Sequence, residues 1–163
     1  MTESPSSTKP TYEELETNAA TQQHINLVRI LLRKAAVELL QRGEVHDLSK
    51  FSPEEVEVFT EFTPKLRGST FGSEEYMGFL RDMKPALDHH YANNRHHPEH
   101  FGEEGIDGMN LFDVLEMFID WTASTRRHAD GDIAKSIEIN KKRFGMSDQL
   151  AQIFRNTVRD FKV

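Results

Sequence analysis

At 163 residues the chain is long enough for one domain with a buried core, and 37% hydrophobic against 29% charged residues is the balance of a globular protein. A formal net charge of −7 argues against a general nucleic-acid or membrane-surface binder, which would carry basic patches. The lack of cysteine removes disulfide and thiolate chemistry, and no apolar run approaches the length of a membrane span.

Residues 1–10, rich in Ser, Thr and Pro, read as a disordered tail, and residues 11–163 as a single helical domain. No basic-then-apolar leader pattern opens the chain, so a cytoplasmic location is expected. Thr11-Tyr12-Glu13-Glu14 has the spacing of a capping box. A first long helix is predicted over 21–42, with Ile25, Val28, Leu32, Ala35, Ala36 and Leu39 as its apolar stripe and Gly43 at its end. Ser52-Pro53-Glu54-Glu55 signals the start of a short helix carrying Val56 and Phe59, followed by a loop over 64–72. Ser73 caps a helix that Pro85 kinks or restarts and that runs to about Asn93. Residues 96–109, with Pro98 and three glycines, read mostly as loop. Asn110 caps a strongly apolar helix reaching about Arg127, and two more follow near 132–144 and 147–161, separated by Gly145. The expectation is an all-α bundle of about six or seven helices. The last two either close the bundle or form a homodimer contact.

Chemistry concentrates in the histidines. Five of the eight, His89, His90, His96, His97 and His100, fall within twelve residues. His24 lies close to the first helix's apolar stripe, and His46-Asp47 follows that helix. Neighbouring side chains diverge by about 100° on a helix, so His46 and Asp47 reach one ion or a close ion pair only where the backbone turns. Asp120 sits between Ile119 and Trp121, where a buried carboxylate needs a partner or a metal. Imidazole and carboxylate without thiolate suit zinc, iron, manganese and related divalent ions. His96-His97-Pro98-Glu99-His100 formally matches a zinc-peptidase pattern, but that pattern needs a helix and Pro98 stands inside it.

In this order, His24, then His46-Asp47, then the middle histidines, then Asp120, the chain resembles the HD-domain superfamily of metal-dependent phosphohydrolases. His46-Asp47-Leu48-Ser49-Lys50 is similar to the H-D-x-G-K stretch of HD-GYP-type phosphodiesterases, with Ser49 in place of glycine. His96-His97-Pro98-Glu99 with Gly105-Ile106-Asp107-Gly108 resembles their H-H-E segment. Asp120 to Ser124 with Arg126 resembles their terminal Asp helix. The Gly-Tyr-Pro signature is absent, so cyclic-dinucleotide specificity does not carry over. The whole chain is also similar to small bacterial and phage HD-like proteins.

The resemblance implies an HD-like helical fold holding two divalent ions (Mn, Fe, Co, Zn or Ni). His24, His46, Asp47 and Asp120 would hold the first, Asp47 would bridge, and His97 with one of His89, His90 or His96 (His90 preferred) would hold the second. The implied reaction is hydrolysis of a phosphate ester, of a nucleotide or another small molecule, by metal-activated water. Lys50 would neutralise charge on the phosphate or donate a proton, Arg126 and Arg127 would bind it, and Glu116 would orient a ligand histidine. Two alternatives stand beside this: an HD-type mixed-valent diiron oxygenase cleaving a C–C or C–P bond, and a non-catalytic metal-binding protein.

Overall fold

The computed structural model describes residues 9–70, 72–127 and 131–161. Within these residues the protein is all-helical, with seven α-helices, two 3-10 segments and no strand. Most of the predicted tail lies outside the described residues; Lys9 and Pro10 are exposed and irregular. No helix among the described residues is long and apolar enough to cross a membrane. The chain divides into two units, one ending at Gln41 and one beginning at Arg42.

The first unit is built on α1 (Tyr12–Val45). The Thr11 hydroxyl accepts from the Glu14 backbone N–H at 3.2 Å, and the Glu14 carboxylate accepts from the Thr11 backbone N–H at 2.7 Å. This reciprocal pair opens the helix nine residues before the predicted start, because nothing between Glu14 and Thr21 breaks it. The helix also runs through Gly43, predicted to end it. No residue of α1 is buried, and Ile25, Val28 and Leu32 of the predicted stripe are exposed.

The second unit begins with the last turn of α1 and a 3-10 turn over Leu48–Phe51. Then come α2 (Val56–Gly68), α3 (Glu74–Asp82) and α4 (Lys84–Asn93). Pro64, predicted to open a loop, lies inside α2, whose last turns carry on to Gly68. Ser73 caps α3 as predicted, accepting from the Tyr76 N–H at 3.1 Å, and the chain restarts as α4 at Lys84-Pro85. Residues Pro98–Gly108 form 3-10 turns bent at Gly102 and Gly105, both at positive φ. In α5 (Leu111–Thr125), Asn110 and Asp113 close a capping box. Asp132 caps α6 (Ile133–Phe144), Gly145 ends it in the left-handed conformation, and α7 (Asp148–Phe161) follows.

Met117, Phe118, Ile137, Met146, Ala151 and Phe154 form the buried core where α5, α6 and α7 meet. The Phe118 and Phe154 rings stack with centroids 4.9 Å apart. Each such aromatic, fully buried, contributes about 1.5–3 kcal/mol. The sequence of α5 fixes how this core positions the rest. Val114, Met117, Phe118 and Trp121 recur at helical spacing and face the core. Asp113, Glu116 and Asp120 recur at the same spacing on a second stripe, Asp113 turned toward Arg42 and Arg95 and the other two toward His46.

Candidate metal centre

Asp47 is the pivot. Among the described residues it alone is a non-glycine at positive φ (58°). Left-handed backbone costs an L-residue about 1–2 kcal/mol, less for Asp, and is held only where surrounding contacts impose it. This turn ends α1 and overcomes the divergence of neighbouring side chains. His46 Nε2 comes within 3.6 Å of Asp47 Oδ2 and 3.7 Å of Asp120 Oδ1.

Two histidines arrive from opposite sides. On α4, Met83, Ala86 and His90 recur on one buried stripe, and this phase turns His90 inward. His90 Nε2 lies 3.2 Å from Asp47 Oδ1 and 3.0 Å from His97 Nε2. After α4, the Asn94–His97 turn carries the buried His96 to the same place, with Nε2 3.4 Å from Asp47 Oδ1.

Three of these imidazoles, His46, His90 and His96, are held from behind by a carboxylate. Glu116 Oε1 accepts from His46 Nδ1 at 2.9 Å and faces His96 Nδ1 at 3.2 Å, as expected of a residue that orients a histidine. Its other oxygen accepts from Arg42 at 3.2 Å. Glu55, fully buried at the start of α2, accepts from His89 Nδ1 at 2.7 Å and His90 Nδ1 at 2.9 Å. Carboxylates only accept here, so they fix the protons on Nδ1 and aim the Nε2 atoms at Asp47. Asp113, also fully buried, accepts from Arg42 at 2.8 Å and from Arg95 at 3.1 Å and so ties α1, the Asn94–His97 turn and α5 together.

The electrostatics follow from this packing. Burial opposes charge on Asp47, but the His90 and His96 imidazoles and the Lys50 ammonium hold its carboxyl far below the usual range. Burial also opposes charge on Glu116, and His46, His96 and Arg42 overcome it in the same way. Hydrogen bonds to Asp120 and then Glu116 raise His46 to about 10. Burial, then the His96 and His90 charges, push His97 down to about 2.

Two ligand groups result. Asp47, His90, His96 and His97 each bring one ligand atom to within 4.8 Å of the others, and His46, Asp47 and Asp120 do the same. A third grouping of His46, His96 and Glu116 forms on the Nδ1 side, where the Arg42 guanidinium already satisfies the carboxylate. The donor set of the first group fits a divalent ion. Asp47 Oδ1 and His96 Nε2 are buried and make no hydrogen bond, although 3.4 Å apart. With neutral His90 and His96 protonated on Nδ1, three acceptor atoms face one another, an arrangement that a cation, or a second proton on an imidazole, satisfies. Ligand atoms about 2.0–2.1 Å from a tetrahedral ion lie about 3.3–3.4 Å apart. The distances around Asp47 Oδ1, 3.2 and 3.4 Å, match that spacing.

Of the residues singled out from the sequence, His46, Asp47, His90, His97 and Asp120 come together here. His96, one of the alternatives left among the middle histidines, joins them. His89 points its Nδ1 at Glu55 instead. His24 lies exposed on α1 in the first unit and belongs to neither group. Lys50 reaches Asp47 Oδ2 at 2.5 Å. Arg126 and Arg127 are exposed just past the end of α5. His100 donates to the Tyr91 carbonyl at 2.8 Å, so the formal peptidase pattern does not converge.

The sequence reading missed Glu55, assigning it to a helix start. Glu55 stands at the N-cap of α2 without capping it, and its carboxylate turns inward to His89 and His90. It also missed Asp113, whose only local sign is its place three residues after Asn110. Beside the centre, an open cleft of about 550 Å³ is lined by Leu80, Leu87, Tyr91, Arg81 and Arg143. The Tyr91 ring is its wall toward the centre, 5.0 Å from His97.

A family of unknown function (DUF5662) matches residues 13–160, and the chain belongs to that family. No curated protein and no solved structure matches it.

Proposed function

We propose that this protein is a metal-dependent phosphohydrolase acting on a phosphate ester of a nucleotide or another small molecule. The observation that carries the reading is that one strained carboxylate, Asp47, is shared between two convergent ligand groups and keeps a buried oxygen without a hydrogen bond. The resemblance to the HD superfamily supports it, because five of the six ligands that the resemblance selected, His46, Asp47, His90, His97 and Asp120, fall within these two groups.

His90, His96 and His97 with Asp47 would hold one divalent ion, and His46 and Asp120 with Asp47 a second. Bound there, such ions supply a water of lowered pKa as nucleophile and a positive field for phosphoryl oxygens. The chain's own groups do the rest. Glu55 and Glu116 lock the imidazoles in the tautomer that offers Nε2, so the ligands need not reorganise. Lys50, paired with Asp47, places an ammonium where phosphate charge would develop.

The test is metal analysis of protein prepared without chelator, followed by a phosphate-release screen over nucleotides and sugar phosphates. Bound zinc, manganese, cobalt or nickel with metal-dependent release supports the reading. Iron with an oxygen requirement overturns it in favour of an oxygenase. A protein that takes up no metal overturns both.

A further inference from the structure

We propose that the two cation positions on Asp47 fill in order, because the Lys50 ammonium occupies the carboxylate oxygen that the second position needs. The inference rests on the metal-binding reading above and adds to it an internal competitor.

The two oxygens of Asp47 differ in their surroundings. Oδ1 faces His90 at 3.2 Å and His96 at 3.4 Å and makes no hydrogen bond. Among the described residues no lysine or arginine pairs with it. Oδ2 faces His46 at 3.6 Å and accepts from Lys50 Nζ at 2.5 Å. Lys50 is held there twice: the 3-10 turn sets its i,i+3 relation to Asp47, and its ammonium lies 5.1 Å from the Phe59 ring centroid.

The first position therefore takes an ion into a ready-made set of acceptors. The second has two carboxylates, Asp47 and Asp120, but one of them is already neutralised from within the chain. An ion about 2.1 Å from Oδ2 would lie at most about 4.6 Å from Nζ, well inside the range of strong charge repulsion. Lys50 must leave before this position binds well. An anionic ligand that draws the ammonium away would do this, so that ligand binding and loading of the second ion reinforce each other.

The test is equilibrium dialysis of the chelator-stripped full chain against cobalt(II), counting bound metal. For wild type the expected result is one tightly held equivalent and a second at least about tenfold weaker; in Lys50→Met the second step tightens by about tenfold or more. Lys50→Arg keeps the charge and should keep the wild-type pattern. Helical circular dichroism and the melting curve establish that each variant is folded, and Lys50→Gln replaces the methionine variant should it fail. Two equal equivalents in wild type, or an unchanged second step in Lys50→Met, overturns ordered filling while leaving the metal centre intact. No cobalt uptake by wild type overturns the metal reading itself.

Discussion

The two stripes of α5 are built on opposite principles. One, through Val114, Met117, Phe118 and Trp121, is satisfied by packing against α6 and α7. The other, through Asp113, Glu116 and Asp120, gathers carboxylates against histidines and arginines. The apolar stripe is complete in itself, since its atoms ask only to be removed from water. The polar stripe is complete at its outer layer, where Asp113 and Glu116 find Arg42, Arg95, His46 and His96, and incomplete at its centre, where Asp47 Oδ1 and His96 Nε2 have no hydrogen bond. Apolar packing is gathered on one face and polar atoms without a hydrogen bond lie beyond the other, and the two are open to separate perturbation.

The largest effect on the packed side is expected from Phe118→Ala, which removes a fully buried ring and should cost about 3–5 kcal/mol in urea unfolding. The variant that remains folded should bind metal with unchanged stoichiometry; coupled loss of metal would show that the two faces are not independent. On the polar side, Glu55→Gln and Glu116→Gln keep shape but replace a charged acceptor behind each histidine. Each should weaken metal affinity about 10–100-fold. Unaltered affinity in both would reduce these carboxylates to partners of the fold alone.

The comparison also has a pH signature. His46 stands at about 10 in the metal-free fold against an ordinary 6.5, so its stabilising contribution is full below pH 6.5 and is lost as pH rises through 10. Asp47 and Glu116 are depressed from 3.8 and 4.5, so their contribution is present above those values and lost as pH falls. Metal-free protein should thus melt highest between about pH 4.5 and 6.5. Metal affinity should rise from pH 6.5 toward 9, because His46 must release its proton to bind. Melting curves in chelator and metal titrations across this range check both, and affinity independent of pH would remove His46 from the ligand set. The smallest effect is expected of Arg126→Ala and Arg127→Ala. Both side chains are exposed, so stability should change by no more than about 0.5 kcal/mol. A rise in KM without loss of metal would give them the phosphate-binding role, and an unchanged KM would deny it.

Where local chemistry decides, the sequence was legible. Ser73, Asn110, Asp132 and Gly145 mark real helix ends because caps act within three or four residues. Thr11 marks a cap without marking how far the helix runs beyond it, and Pro64 signals a break that α2 does not make. At the centre, the chemical types of His46, Asp47, His90, His97 and Asp120 stood out, since imidazole and carboxylate in apolar surroundings need a reason. The choice between His89 and His90 depends on the phase of α4, which the Met83-Ala86-His90 stripe encodes. Glu55 carried no such mark. Its role comes from the packing of α2 against α4, and a carboxylate at a helix start looks the same in sequence whether it faces water or a buried histidine.

The central claim is that Asp47 organises a metal centre, and metal content in wild type beside Asp47→Asn tests it most directly. Asparagine tolerates the left-handed backbone at this position, so the variant should fold. The account predicts bound divalent metal in wild type and its loss in the variant, with helical content unchanged. Metal retained in Asp47→Asn, or none taken up by wild type when it is supplied, would contradict it.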